Sequence, residues 1–179
     1  MSKVARIARK FVLQSHPQGK PKLSDFKLVE EKLPAALQEG EILTKAQWLT
    51  VDPYMRGALL ALKQGETMMG SQVATVTESR NPEYPEGTKV VGSFGWRDLT
   101  VHKPSEKFNP LDIYKLPDMK GLPESYALGS VGMPGNTAYF GVTRILEPKA
   151  GDVLVVSAAA GAVGSLVGQI GKLKGSRNN

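Results

Sequence analysis

Cysteine is absent from this 179-residue chain, and histidine occurs only twice, at His16 and His102. Without a thiol there is no disulfide, no thiolate zinc site and no cysteine nucleophile, and nothing points to an oxidising compartment. Two histidines without H-x-x-x-H spacing do not complete a tetrahedral site, so no metal is expected. The chain also lacks a G-x-S-x-G elbow and a persuasive carboxylate pair, which removes the commonest hydrolytic chemistries. No apolar run approaches the roughly 20 residues that span a bilayer. The expectation is a soluble, cytoplasmic protein with no membrane partner. Internal repeats and low-complexity tracts are missing as well.

What is present is ordinary globular composition, 41% hydrophobic and 22% charged, enough to bury a core. The net charge is +6. Residues 1–32 hold eight Lys or Arg against Asp25, Glu30 and Glu31. These cations are spread singly along a half-apolar pattern and lack interleaved stacking aromatics, so nucleic acid is not the expected partner. The acid-free start from Met1 to Lys10 faintly resembles a mitochondrial presequence, but it runs straight into an expected strand.

Taken in order, Lys3 to Leu13 and Phe26 to Glu31 read as strands separated by the Pro/Gly turn at 15–21. Glu41 to Val51 alternates apolar and polar residues, with Trp48 supplying a large core or groove surface. Asp52-Pro53-Tyr54-Met55-Arg56-Gly57 then turns into a short irregular or helical piece. Gln72 to Thr77 and Thr88 to Phe94 are further strands, and His102 closes another. Short strands punctuated by Gly and Pro predict a compact β-barrel over residues 1–123. Past Gly121-Leu122-Pro123 the composition changes, and Glu124 to Leu146 reads as helical with a break at Met133-Pro134-Gly135.

The stretch around which the chain is organised is GDVLVVSAAAGAVG, from Gly151 to Gly164. Val153 to Val156 reads as a buried central parallel strand, and Ser157 to Gly161 as a tight turn. Val163, Leu166, Val167, Ile170 and Leu173 recur at helical spacing and predict a helix packed on the sheet. Such a turn sits at a helix N-terminus, where free N–H groups and the positive end of the dipole favour a pyrophosphate. Against G-x-G-x-x-G the match is Ala159-x-Gly161-x-x-Gly164. The methyl of Ala159 is tolerable at the tight turn if its φ is negative, and Gly164 must let helix meet strand. A small-residue loop in some other α/β domain remains the plainer account of the turn taken alone.

With metal and nucleophile removed, the remaining chemistry is cofactor-borne: a nicotinamide carries hydride, and the protein orients it. Asp52-Pro53-Tyr54-Met55-Arg56 brings a rigid proline, a phenol and a guanidinium together; its plainer account is a turn with Arg56 paired to Asp52 or a surface acid. Met133 to Tyr139 is either a helix start capped by Asn136 or Thr137, or a set of polar groups facing a ligand.

Four motifs in order resemble the zinc-independent medium-chain dehydrogenase/reductases, and within them the prostaglandin reductase or leukotriene hydroxydehydrogenase group. They are residues 49–56 (LTVDPYMR), 68–74 (MMGSQVA), 127–141 (ALGSVGMPGNTAYFG) and 158–165 (AAAGAVGS). Zinc-dependent relatives have Gly-His-Glu where this chain has Gly70-Ser71-Gln72, and a cysteine near Val51-Asp52. The resemblance implies an α/β protein: a GroES-like catalytic domain over 1–123, followed at 124–179 by the first strand and helix of an incomplete Rossmann cofactor-binding domain. It implies NADPH-dependent reduction of the C=C bond of α,β-unsaturated ketones and aldehydes, of the 15-oxoprostaglandin 13-reductase type. The substrate is then an enone, enal or oxo-eicosanoid, and the full-length form a homodimer.

By the same resemblance Tyr54 and Arg56 line the substrate cleft, while Met133, Thr137, Ala159, Gly161, Ala162, Val163 and Gly164 bind the cofactor. The chain reads as a truncated form, since the family continues into a second strand and the groups that hold the 2′-phosphate. Lys172, Lys174 and Arg177 are accordingly expected on a frayed tail, with weak NADPH binding and little preference over NADH. The alternative is an inactive product that acts only as a ligand- or partner-binding module.

Overall fold

The structure, a computed structural model, describes residues 6–105 and 112–178. The chain divides into two compact units, Met1–Asp118 and Met119–Asn179.

In the first unit β1 (Ile7–Leu13) and β2 (Phe26–Lys32) form an antiparallel hairpin that pairs Phe11 with Leu28 and Arg9 with Glu30. Residues 3–5 of the expected first strand lie outside the described residues. A five-stranded antiparallel sheet in the order β6-β3-β4-β5-β7 is built from β3 (Ile42–Leu49), β4 (Gln72–Ser79), β5 (Lys89–Gly92), β6 (Leu99–His102) and β7 (Ile113–Lys115). The three-residue β7 is the one strand of the sheet the sequence reading missed. Its pattern is too short to show a period of two. The inward face of the sheet buries Ile42, Ala74, Val76, Val90, Phe94 and Ile113 together. A second cluster, Leu13, Leu59 and Met68, is closed by Phe26, Leu62 and Trp96.

The hairpin is tied to the rest by backbone bonds: Phe11 N–H donates to the Trp96 carbonyl at 2.9 Å, and Met68 N–H to the Phe11 carbonyl at 2.9 Å. In β3 the register against β4 shifts between Ala46 and Trp48. Such a bulge re-aims side chains. Trp48 points to an outer groove and not into the core, with 53% of its surface exposed. Between β3 and β4, α1 (Met55–Ala58) is a single turn anchored by the buried Met55.

The second unit starts with a 3₁₀ segment, Glu124–Leu128, and then α2 (Met133–Phe140), which runs on as a π-helical Gly141–Leu146. The helical break therefore falls ahead of Met133, at Gly129 to Gly132, while Met133-Pro134-Gly135 opens α2. Proline in the first helical turn has no N–H to leave unpaired, which is why it starts a helix here and does not interrupt one. β8 (Val153–Leu154), α3 (Gly164–Leu173) and β9 (Arg177–Asn178) form a β-α-β unit with parallel strands. α3 packs on α2.

Three expectations fail in this unit. The strand at Val153 to Val156 is neither four residues long nor buried throughout: it is ladder-paired only at Val153 and Leu154, and although Leu154 is buried, Val155 is 78% exposed. A two-stranded pair offers one neighbour and no covering layer, so the outer valines stay in solvent. Leu173, placed by periodicity on the packed face, is 87% exposed because it closes the last turn of α3. Arg177 is not on a frayed tail. Its N–H donates to the Asp152 carbonyl at 2.8 Å as it enters β9, so the chain carries the beginning of a second parallel strand beyond the expected strand and helix.

Candidate functional site

The glycine-rich turn is shaped by one clash avoided and one strained residue. A β-carbon on Gly164 would stand 2.3 Å from the Ala158 carbonyl oxygen and 3.0 Å from Ala159 Cα, so only glycine lets α3 start this close to the turn. The left-handed conformation falls on Ala158, at φ 51°, one residue before the expected tight-turn alanine. Ala159 has no positive φ and so meets the condition set for its methyl. Gly161 N–H donates back to the Ala158 carbonyl at 2.8 Å and closes the turn.

The first bond of α3 runs from Ser165 N–H to the Gly161 carbonyl at 3.0 Å. Among the described residues the N–H groups of Ala162, Val163 and Gly164 find no backbone acceptor one helical turn back, and Val163 at the N-cap supplies no side-chain cap. Ala159, Gly161 and Ala162 are exposed, and Val163 and Gly164 partly so. An uncapped, small-residue helix start of this kind fits the pyrophosphate of a dinucleotide.

In the same unit Thr137 Oγ1 donates to the Met133 carbonyl at 2.8 Å, one turn back along α2, and Met133 is exposed. Neither Asn136 nor Thr137 caps the helix. The N-cap is Gly132, because the chain enters α2 four residues earlier than a cap at Asn136 would require. Met133 and Thr137 thus share one face of α2, at spacing i and i+4.

Tyr54 and Arg56 belong to the first unit. Arg56 is not paired with Asp52: its Nη2 donates to the Gly19 carbonyl at 2.7 Å, which ties α1 to the 15–21 turn. The Asp52 carbonyl instead accepts the Met55 N–H at 3.1 Å. Tyr54 is 51% exposed. Burial of the rest of its ring, and then the charge of Asp52, push its phenol above the ordinary tyrosine value, so it stays a proton donor across neutral pH.

Sequence reasoning overlooked the support of this loop. Gln72 is 1% exposed, and its Nε2 donates to the carbonyls of Gly95 and, at 2.8 Å, Arg97. Between those two carbonyls Trp96 donates its indole N–H to the Thr50 carbonyl at 3.0 Å. Thr50 in turn accepts the Ser71 N–H on its Oγ1 at 3.1 Å and donates its own N–H to the Ser71 carbonyl at 2.9 Å. The Gly70-Ser71-Gln72 segment, which the resemblance aligns with a zinc-ligand motif, is used here for hydrogen bonds between loops. Among the described residues no group of three or more His, Cys, Asp or Glu is placed to hold a metal ion. The signal available was a glutamine at the very start of β4, directly ahead of the apolar pair Val73 and Ala74.

A groove of about 390 Å³ opens on the first unit, lined by Phe11, Leu28, Trp48, Leu49 and Trp96 with Arg9, Arg97 and Asp98 at its polar end. None of the expected site residues lines it. At the polar end Arg9 Nε donates to Asp98 Oδ2 at 3.0 Å, and Glu31 holds Lys10 Nζ at 2.8 Å and Arg97 Nη1 at 3.2 Å. No described helix is long and apolar enough to cross a membrane.

Comparison with known proteins agrees with this architecture. Residues 9–110 match the family described as the N-terminal domain of oxidoreductase. Prostaglandin reductase 1 of Bos taurus is 51% identical over 170 residues, covering 95% of this chain and 50% of that protein. The NADPH-dependent curcumin reductase of Escherichia coli (strain K12) is 42% identical over 176 residues, covering 94% of this chain and 49% of that protein. The crystal structure of CurA in complex with NADPH from Vibrio vulnificus superposes with a TM-score of 0.84 at 40% identity, covering 95% of this chain and 50% of that one. The chain spans about half the length of the curated relatives it matches. A GroES-like unit rich in antiparallel strands followed by the opening β-α-β of a Rossmann domain, carried on a sequence half identical to prostaglandin reductases, places the chain in the medium-chain dehydrogenase/reductase family of oxidoreductases, in its prostaglandin reductase group.

Proposed function

We propose that the chain serves NADPH-dependent reduction of the C=C bond of α,β-unsaturated ketones and aldehydes, oxo-eicosanoids of the 15-oxoprostaglandin type among them. The observation that carries this is the 158–164 turn, an uncapped helix start built from small residues with Ala159, Gly161 and Ala162 exposed. The similarity to prostaglandin and curcumin reductases supports it.

In this reading residues 1–123 supply the substrate side and residues 124–179 the start of the cofactor side. Ala159, Gly161, Ala162, Val163 and Gly164 take the pyrophosphate, with Met133 and Thr137 beside the cofactor. When bound, NADPH supplies hydride to the β-carbon of the enone. Negative charge then grows on the carbonyl oxygen of the substrate, and what the protein contributes is hydrogen-bond donors aimed at that oxygen. The Tyr54 phenol and the guanidinium of Arg56 are the donors on the 50–56 loop. The partner is a small molecule, not nucleic acid, and the assembly a cytoplasmic homodimer.

Consumption of NADPH on adding an enone such as trans-3-nonen-2-one tests the reading. Enone-dependent turnover that falls with Arg56→Ala and with Gly161→Val supports it. Absence of both turnover and calorimetric NADPH binding refutes it. The apolar groove favours a second reading, a binding module without turnover, which predicts saturable binding of apolar ligands by a chain that consumes no NADPH.

A further inference from the structure

Gln72 does something no apolar residue of its size could do at that place. Both protons of its amide are spent on carbonyls of a neighbouring loop, Gly95 and Arg97, from a side chain with almost no solvent contact. A buried amide that makes all its donor bonds fixes its partners in place, since either carbonyl, if released, would be left unpaired and out of reach of water. The residue between the two carbonyls is Trp96, so the amide sets where the indole points. The indole N–H in turn holds the Thr50 carbonyl at 3.0 Å, and the absent side chain of Gly70 leaves the ring its room.

Thr50 is the hinge between β3 and the loop that carries Tyr54 and Arg56. It is held by Trp96 at its carbonyl and by Ser71 at its N–H and Oγ1. Beyond it the loop is pinned again by the buried Met55, whose N–H donates to the Asp52 carbonyl at 3.1 Å, and by Arg56 on the Gly19 carbonyl. The only side chain in this relay that reaches across from the sheet interior is Gln72.

We propose that Gln72 is a positioning residue for the 50–56 loop: through Gly95 and Arg97 it orients Trp96, and through Trp96 it fixes Thr50 and with it Tyr54 and Arg56. The functional weight of this relay rests on reading Tyr54 and Arg56 as substrate-facing, but the relay itself does not. Glutamate is the informative replacement. Its carboxylate has no proton to give and faces two carbonyl oxygens, whereas its protonated form donates one bond and restores half the clamp.

The test is native-state hydrogen exchange on the 179-residue chain, comparing wild type with Gln72→Met, Gln72→Glu, Trp96→Phe and the Gln72→Met/Trp96→Phe double variant. In Gln72→Met the amides of residues 50–52 and 54–57 should exchange about tenfold faster while the β4–β5 ladder keeps its protection. The double variant should be no worse than either single one, as expected of residues acting in series. Gln72→Glu should regain protection at residues 50–57 on acidification, and Gln72→Met should not. Unchanged exchange at 50–57, a uniform loss across the whole sheet, additive effects in the double variant, or no acid rescue would each overturn the proposal. Enone turnover by wild type is measured alongside: its absence would count against the reductase reading and leave the exchange result to judge the relay.

Discussion

The indole N–H of Trp96 reaches the Thr50 carbonyl at 3.0 Å across the space where residue 70 has no side chain. A β-carbon at position 70 would stand 2.9 Å from Trp96 Cδ1 and 3.0 Å from its Nε1, so the indole would have to shift away from the Thr50 carbonyl it holds. Gly70→Ala should therefore destabilise the first unit by about 1–3 kcal/mol. A drop in the urea midpoint at constant slope is the expected result, and an unchanged midpoint would contradict it.

Gly164 and Gly161 should respond differently to the same methyl. At Gly164 it meets the Ala158 carbonyl oxygen at 2.3 Å, a contact with rigid backbone; at Gly161 the nearest atom is the same oxygen at 3.1 Å. Gly164→Ala is expected to unseat the start of α3 and lower helicity and thermal midpoint. Gly161→Ala should cost less of both and, on the proposed reading of the turn as a pyrophosphate site, lower NADPH affinity. Equal melting behaviour of the two variants would show that the turn is softer than its geometry implies.

Ala158 holds φ 51°, a conformation that costs an L-residue roughly 1–2 kcal/mol and glycine almost nothing. Part of that gain is lost to the greater freedom of glycine in the unfolded chain. Ala158→Gly should still stabilise the second unit by about 0.5–1 kcal/mol. Thermal unfolding followed by ellipticity would show a higher midpoint, and a lower one would mean that the methyl makes a contact worth more than the strain.

Much of the antiparallel unit was legible because its strands carry period-two patterns bounded by Gly and Pro: β2, β3, β4 and β5 fall within a few residues of where those patterns place them. The helix after the glycine turn was legible for a related reason, five apolar residues at helical spacing. What could not be read were features that depend on partners far away in sequence. Val155 looks like a core residue and is exposed because burial is decided by the layers around a strand. The Arg56 bond to Gly19 joins residues 37 positions apart, and no local pattern announces it. Gln72 is the clearest case, a polar residue whose role exists only once the 95–97 loop has folded against it.

The Glu31 carboxyl is held below its ordinary value of 4.5, first by the bond from Lys10 and also by the nearby charges of Arg97 and Lys10, against the raising effect of burial. A lowered folded value means stability that is fully present above 4.5 and is lost as the pH falls through the folded value. Wild type should thus exceed Glu31→Gln by a constant margin at neutral pH, and the margin should close under acid. Urea unfolding of both proteins from about pH 7 to about pH 3 would show this, and a margin that stays constant throughout would exclude the ion pair as its source.

Both tryptophans of the chain, Trp48 and Trp96, lie in the first unit on the walls of one groove, whereas the second unit has none and holds α2 and α3. The molecule is in effect labelled at birth with two optically separate reporters. Emission excited selectively in the indoles follows the antiparallel unit alone, while far-ultraviolet ellipticity is dominated by helices of the other. A single denaturation experiment recorded in both channels resolves whether the two units melt as one cooperative body or in succession, without any introduced probe.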